Sequence, residues 1–382
     1  MQSFNLLASF STEKLYLTLA GFYPIQPGAY TPLYLLSALI HLAVSWLQFL
    51  SLVTYSCLQF DDPTKLSEIL LFCMTQFAFL NKLTNLIASK RKLLQLEVRL
   101  TNPVFTTVTD VEKSILQKHV SNGKLLAKLY RALCFLVVLF YALFPFLDDR
   151  SETEYKYPLP CWFPFDEDKY YYQVFFVEIW SIAVSAFVNS SMDVLTIMMM
   201  IVATAEFKIL NRKLRTAFGA GKDDAVAGRF RECVLFYEEL LSLVAHIEAT
   251  FSRGIFIQFF CSVMVICLTG FQMLVISFNS MQFVLLVVYF SCMMCQVAMY
   301  CWYGHTVMES SDEITGACYM SEWNACYNAA VKKSLVLLME RAKRPATIRA
   351  GGFFTLNIPT LMTILRTSYS YFAVLRRLYD GK

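Results

Sequence analysis

The chain has 382 residues, of which 57% are apolar and only 16% are charged, with a formal net charge of +4. Soluble domains carry about 25% charged residues, so this composition disfavours a soluble enzyme, while 33 Phe and only 13 Gly exclude a disordered or collagen-like chain. Lys and Arg are scattered rather than gathered on one stripe, so no nucleic-acid partner is expected. The chain is therefore predicted to be an all-α membrane protein.

Seven long apolar stretches predict seven transmembrane helices, since a span needs about 20 mainly apolar residues. No Asp, Glu, Lys or Arg occurs between Arg253 and Glu309. As one helix this stretch would be about 80 Å long, far more than a ~30 Å hydrocarbon core, so it is predicted to form two helices joined by a tight turn. The predicted spans are 33–57, 66–88, 130–147, 171–205, 254–278, 282–307 and 351–378.

The loops between the predicted spans differ in charge. Residues 88–131 contain nine Lys or Arg and residues 206–231 contain seven, whereas residues 148–169 contain three against seven Asp or Glu. Because Lys and Arg near helix ends stay on the cytoplasmic side, this pattern predicts an intracellular N-terminus and an extracellular C-terminus. That orientation is opposite to the one in a G-protein-coupled receptor.

Ionisable and metal-ligating residues inside the predicted spans are few. Asp193 lies deep in the fourth span, where an unpaired carboxylate is costly, so it is predicted to pair with a neighbouring helix, with ligand contact as the alternative. Lys82 is predicted to be an internal ion-pair group or to reach towards the membrane surface. Cys292 and Cys295 have no further ligand at metal-binding spacing and the four His are scattered. No cofactor, metal or catalytic cluster is therefore predicted, and the chain is not expected to be an enzyme.

The C-terminal part carries a specific set of motifs. A Glu-Ser pair at 309–310 precedes a Tyr-x-Ser-x-Trp element at 319–323, and a basic amphipathic stretch follows. Arg-Ala-Gly-Gly at 349–352 then marks a break before a last helix, predicted to bend near Pro359, that contains Ser-Tyr-Ser-Tyr-Phe at 368–372. This arrangement closely resembles the insect odorant receptor family.

The resemblance implies an odorant-gated, non-selective cation channel of four subunits in the plasma membrane of sensory neurons. In that family an odorant-tuning subunit assembles with a common co-receptor, which has a long insertion between spans four and five. Here residues 206–231 make a short connection, which indicates the tuning subunit of a heterotetramer. Two alternatives stay open: a gustatory receptor-type channel subunit, disfavoured because Arg377 stands where the gustatory pattern has Gln, and a G-protein-coupled seven-helix receptor.

The resemblance also divides the chain into four parts. The helical patterns at 90–100 and 225–247 predict that the bundle projects beyond the membrane on the cytoplasmic side. The four parts are a cytoplasmic N-terminal segment at 1–32, transmembrane helices one to six with the odorant-binding bundle and cytoplasmic extensions at 33–308, a cytoplasmic anchor region at 309–350, and the pore-lining seventh helix with the extracellular C-terminus at 351–382.

Three residues of the last helix are candidate pore residues. Val374 and Leu378 are four residues apart and share a helix face, and by resemblance they occupy the apolar gate of the pore. Packing against a neighbouring helix is the alternative. Arg377 would place a positive charge beside a cation path, which predicts a lower conductance; an Arg that reaches lipid headgroups or water is the other interpretation.

A small volatile ligand needs a concave, mainly apolar site with one or two polar groups. The outer halves of spans two, three, four and six have that composition, and family resemblance places the pocket there. Tyr289 and Gln76 are the polar candidates, and core or lipid packing is the alternative for each aromatic. The candidate ligand-binding residues are Phe72, Gln76, Phe135, Val138, Leu139, Ala142, Phe146, Trp180, Ala183, Phe187, Phe283, Leu286, Tyr289 and Phe290.

Overall fold

The computed structural model describes most of the chain as one bundle of helices. Short one-turn helices also occur at Leu6–Phe10, Asp168–Tyr170 and Trp323–Ala325. The residues described are 2–24, 32–61, 63–147, 157–164, 168–219, 223–278 and 280–380. The helices are α1 (Ser11–Leu19), α2 (Pro32–Leu58), α3 (Pro63–Ala88), α4 (Lys90–Leu100), α5 (Pro103–Thr106), α6 (Asp110–Leu147), α7 (Tyr171–Ala217), α8 (Asp223–Val275), α9 (Met281–Tyr319), α10 (Ala329–Ala342) and α11 (Ile358–Asp380). Two antiparallel pairs of two-residue strands complete the fold: β1 (Gln2–Ser3) with β2 (Thr107–Val108), and β3 (Arg349–Ala350) with β4 (Phe354–Thr355).

Six of these helices are long and apolar enough to cross a membrane: α2, α3, α6, α7, α8 and α9. The chain is therefore a multi-pass membrane protein. The seventh predicted span corresponds to α11, which is amphipathic rather than apolar all round. Its start was predicted too early, because residues 351–357 form a turn and β4. The predicted bend near Pro359 is wrong as well: Pro359 is the second residue of α11, where a missing N–H costs nothing.

Several helices extend well beyond the predicted spans. α8 has 53 residues, about 80 Å of helix. α6 starts at Asp110, twenty residues before the predicted third span, so much of the predicted loop at 88–131 is helix. A capping box fixes this start: the backbone N–H of Thr109 donates to Glu112 Oε2 at 2.8 Å, and that of Glu112 to Thr109 Oγ1 at 3.4 Å.

The centre of the bundle is α7. Every residue from Ser190 to Phe207 is buried, and α7 packs against α6, α9 and α8. A helix that is apolar on all sides can bury all of them, whereas an amphipathic one covers only one face. α7 therefore forms the axis around which the other spans are arranged.

The N-terminal segment packs into the bundle. Phe10 and Leu17 are fully buried, and α1 contacts α7. The Tyr23 hydroxyl donates to Glu97 Oε1 at 2.5 Å, and Lys14 Nζ lies 2.8 Å from the same oxygen. Burial, and then the adjacent Glu97 carboxylate, raise the pKa of Tyr23, so its hydroxyl stays protonated and keeps donating.

The β3–β4 hairpin joins α8 and α9 to α11. Its turn is made by Gly351 and Gly352, whose φ values of +62° and +79° favour glycine. The Gly351 N–H is 2.8 Å from Ser252 Oγ on α8, and the Ala346 N–H donates to Ser311 Oγ on α9 at 2.9 Å. The Arg-Ala-Gly-Gly motif is thus a docked turn that leads directly into α11.

Candidate functional site

A cavity of about 110 Å³ lies between α2, α3, α6, α7 and α9. Its wall is mainly aromatic and aliphatic, as a site for a small apolar ligand requires. The lining residues are Gln48, Leu52, Phe72, Thr75, Gln76, Phe79, Tyr130, Cys134, Val137, Tyr141, Leu159, Ile182, Ser185, Ala186, Asn189, Tyr289, Cys292 and Met293.

Each helix presents one stripe to the cavity. On α6 the stripe is Tyr130, Cys134, Val137 and Tyr141, at the i, i+4, i+7, i+11 spacing of one helix face. The α7 stripe, Ile182 to Asn189, follows the same rule. The cavity is therefore built by ordinary helix packing.

Three of the fourteen candidate ligand residues line this cavity: Phe72, Gln76 and Tyr289. Leu286 lies beside it, where together with Phe72 it lines a smaller cavity of about 20 Å³. The Phe72 ring stands edge-on to Tyr141 at 5.7 Å between centroids, so the two spaces share an aromatic wall.

The other ten candidates lie elsewhere. Phe135, with 54% of its surface exposed, is one of four that face out of the bundle, together with Leu139, Trp180 and Phe187. Val138 is buried outside the cavity wall, and Ala142, Ala183, Phe283 and Phe290 are half-buried outside it. The side chain of Phe146 is outside the part of the chain that the structure describes.

The faces predicted for α6 and α7 are offset by about one residue from the faces that line the cavity. Sequence reasoning chose Phe135 and Ala142 where the cavity uses Cys134 and Tyr141, a rotation of about 100°. These helices are apolar on several faces, so the apolar pattern did not select one. Helical spacing counted from the few polar residues of α7, such as Asn189, would have identified the α7 residues that line the cavity.

Some polar groups of the wall are paired within the protein. Gln76 Nε2 donates to the backbone oxygen of Ser45 at 3.2 Å, and Tyr289 hydrogen-bonds Thr75. Gln48 Oε1 accepts from Ser181 Oγ at 2.5 Å. These bonds hold α2, α3, α7 and α9 together around the cavity.

A buried ion pair lies directly below the cavity. Lys82 Nζ on α3 is 2.6 Å from Asp193 Oδ1 on α7, with 6% and 0% of the side chains exposed, which confirms the predicted pairing of Asp193. The Asp193 carboxylate also accepts from Tyr300 at 2.7 Å and from Gln296, both on α9. Tyr130 lines the cavity and donates to Asp193 Oδ2 at 3.4 Å, so the network reaches the cavity wall.

The candidate pore residues lie in the C-terminal part of α11. This helix packs on α8 and α9 with Ile364 and Ser368 buried. Val374 is 56% exposed and Arg377 is exposed, so both face away from this packing. Leu378 lies in the same helix, but its side chain is outside the described part.

The fold and the cavity define a class: a multi-pass membrane protein with a small, mainly apolar cavity inside its helix bundle. The sequence model of the family described as 7tm Odorant receptor matches residues 62–369. The chain belongs to this family of odorant receptors.

The relatives it resembles carry the same description. Odorant receptor 94a of Drosophila melanogaster is 24% identical over 58% of this chain and 58% of its own length. Putative odorant receptors 92a and 85d of the same species are 28% and 24% identical, over 60% and 78% of this chain and 56% and 74% of their own lengths. This chain thus spans little more than half the length of the first two relatives.

Solved structures share the fold over nearly the whole chain. The olfactory receptor OR5 of Machilis hrabei in complex with eugenol superposes with a TM-score of 0.86, at 16% identity, over 98% of both chains. A second structure of the same receptor superposes with a TM-score of 0.84, at 18% identity, over 97% of this chain and 98% of that one. At this identity the likeness concerns the fold alone.

Proposed function

We propose that this chain is the odorant-tuning subunit of a ligand-gated, non-selective cation channel in the plasma membrane of sensory neurons. The observation that carries the proposal is the cavity between α2, α3, α6, α7 and α9, a mainly apolar space with a few polar groups within an odorant receptor fold. Such a space recognises a small, volatile, largely apolar molecule.

The size of the cavity limits its ligand. An apolar cavity of about 150 Å³ takes up benzene, so a cavity of about 110 Å³ holds a molecule no larger than benzene unless its wall widens when a slightly larger ligand binds. In an apolar pocket one methylene group is worth roughly 1–3 kcal/mol, so tuning to related molecules is moderately broad.

The pore is proposed to form where α11 helices of four subunits meet, some of them from the co-receptor. α11 is amphipathic, packs on α8 and α9 with one side, and exposes Val374 on another. A ring of Val374 and Leu378 around a central axis closes the pore by excluding water. Cations pass when the ring widens.

Gating is proposed to be a population shift, in which the ligand binds better to the bundle arrangement that opens the pore. Tyr130 connects the cavity wall to Asp193, which also binds Tyr300 on α9. Because α9 also packs on α11, movement of the cavity wall reaches the pore helix through packed elements.

The proposed arrangement in the membrane follows the loop charges. The N-terminal segment 1–32 and the anchor region 309–350 lie on the cytoplasmic side, residues 33–308 contain the odorant-binding bundle, and 351–382 lead through the pore to the extracellular side. The basic loops support this orientation.

Voltage clamp of cells that express this chain with and without the co-receptor tests the proposal against an odorant panel. We expect odorant-evoked cation current only when both chains are expressed. A G-protein response without current, from protein shown to be at the cell surface, would sink the proposal.

A further inference from the structure

Three residues of the cavity wall carry buried polar atoms that make no hydrogen bond within the described part of the protein. These atoms are the Tyr141 hydroxyl, Ser185 Oγ and Asn189 Oδ1. A buried polar atom without a partner is costly, and most such atoms in proteins are paired. Their gathering around one cavity points to a partner that enters the cavity.

These three groups differ from Gln76 and Tyr289, two other polar residues of the wall, in their position and in their hydrogen bonding. Ser185 and Asn189 are four residues apart on α7 and lie on one helix face, while Tyr141 is on the neighbouring α6. Gln76 and Tyr289, by contrast, already bond within the protein. The unpaired polar groups thus belong to the α6–α7 side of the cavity.

The chemistry of these groups specifies a complementary ligand. The Asn189 carbonyl oxygen can only accept a hydrogen bond, so its partner must bring an O–H or N–H. The hydroxyls of Tyr141 and Ser185 can donate to an oxygen of the ligand. A ligand hydroxyl does both, whereas an aldehyde, ketone or ester only accepts and a hydrocarbon does neither.

We propose that the preferred ligands of this receptor are small alcohols or phenols, whose hydroxyl group bonds Asn189, Ser185 and Tyr141 while the apolar body packs on the rest of the wall. This inference rests on the proposed function and names the ligand class of the same site. A site built to bond a hydroxyl rejects analogues that lack it, because its own polar groups then stay unpaired.

Two sets of odorants with equal numbers of non-hydrogen atoms test the proposal: benzyl alcohol, benzaldehyde and ethylbenzene; and 1-hexanol, hexanal and heptane. Concentration–response curves are measured by voltage clamp with the co-receptor present, and binding by the ligand-induced rise in melting temperature of the purified protein. In at least one set we expect the alcohol to act at a concentration about tenfold or more below that of the hydrocarbon, with the aldehyde between them.

Variants assign the effect to the three residues. Asn189→Leu should reduce the ratio of potencies between the alcohol and the aldehyde, because the alcohol then loses its acceptor. Tyr141→Phe or Ser185→Ala should reduce the ratio of potencies between the aldehyde and the hydrocarbon, because the aldehyde then loses a donor. Tyr172→Phe is the control, since Tyr172 is 78% exposed and outside the cavity wall. Surface labelling of each variant separates a change in selectivity from a failure to fold.

Equal potency within both sets, selectivity unchanged in all three variants, or no current and no binding with either set would overturn the inference. If other odorants still evoke current with the co-receptor, the proposed channel function stands while the ligand class fails. Absence of current with every odorant, from protein at the cell surface, is the separate failure of the proposed function itself.

Discussion

Lys82 and Asp193 form the most buried ion pair in the described part of the chain. Removing two charges from water is expensive, and their mutual attraction offsets this only when further hydrogen bonds satisfy both groups. Here Tyr300 and Gln296 supply such bonds to the carboxylate. The pair therefore fixes how α3, α7 and α9 fit together next to the cavity.

Asp193→Ala should strongly destabilise the protein, by about 3–5 kcal/mol, because it leaves the Lys82 ammonium buried without its counter-charge. The double variant Lys82→Met with Asp193→Asn removes both charges, keeps a hydrogen-bond acceptor, and should recover much of the loss. Surface expression and the melting temperature of the purified protein measure the loss of stability in Asp193→Ala and the recovery in the double variant.

A matched control is the pair Lys343 and Glu340, which has the same 2.6 Å separation but is more than 60% exposed. Glu340→Gln should change stability little, because exposed ion pairs contribute little. If Asp193→Ala were as mild as Glu340→Gln, the structural importance assigned to the buried pair would be wrong.

Arg377 is the residue whose charge matters most to the proposed pore. It is exposed near the end of α11, close in sequence to Val374. A positive charge beside a cation path repels cations, so Arg377→Gln should raise the single-channel conductance of the assembled channel. Unchanged conductance and ion selectivity would mean that Arg377 faces lipid headgroups or bulk water instead.

At the scale of elements, the connection between α9 and α11 is the junction through which bundle movement reaches the pore helix in the proposed channel. Gly304 on α9 lies against the segment that precedes α11: a Cβ at this position would overlap Leu356 and lie 2.6 Å from its backbone oxygen. Only a residue without a side chain permits so close an approach.

Gly304→Ala should therefore destabilise this junction by about 1–3 kcal/mol through overpacking. Gly316→Ala is the control on the same helix, since a Cβ there meets nothing within 4 Å, and it should be neutral or slightly stabilising. Melting temperatures of the two purified variants give the comparison. Equal behaviour of the two would contradict the packing described for Gly304.

Which elements exist could largely be predicted from the sequence, whereas which faces they turn inward could not. The absence of charge between Arg253 and Glu309 gave two spans, and both are present as parts of α8 and α9. The α6 face chosen from the sequence is offset by one residue from the α6 face that lines the cavity. Phe135 and Cys134 are both apolar, so periodicity does not distinguish them. The capping-box residues Thr109 and Glu112, in contrast, form a sequence pattern that predicts where α6 starts.

The structure shows which contacts the residues of the C-terminal motifs make, and the sequence alone did not show these contacts. Ser321 of the Tyr-x-Ser-x-Trp element bonds the backbone oxygen of Cys318 at 2.6 Å and caps the end of α9, and the Lys332 ammonium lies 5.9 Å from the Trp323 ring centre. These contacts are local and structural. They shape the segment between α9 and α10 and lie outside the cavity wall.

At the scale of the whole molecule, one bundle contains both a mainly apolar cavity and an amphipathic helix with an exposed face. The cavity belongs to α2, α3, α6, α7 and α9, and the exposed helix is held by α8, α9 and the β3–β4 hairpin. α9 is common to both. In the proposed channel this shared helix is the element that couples odorant binding to pore opening.

The most direct test of the account fills the cavity while leaving the rest of the bundle intact. Ala186 lines the cavity, and Ala183 lies on the same helix outside its wall. Odorant-evoked current is measured with the co-receptor for Ala186→Phe and for Ala183→Phe, each shown to reach the cell surface. We expect Ala186→Phe to abolish the current or to shift the response to smaller odorants, and Ala183→Phe to respond as the parent does. An unaltered response of Ala186→Phe, or loss of current only in Ala183→Phe, would contradict the assignment of this cavity as the odorant site.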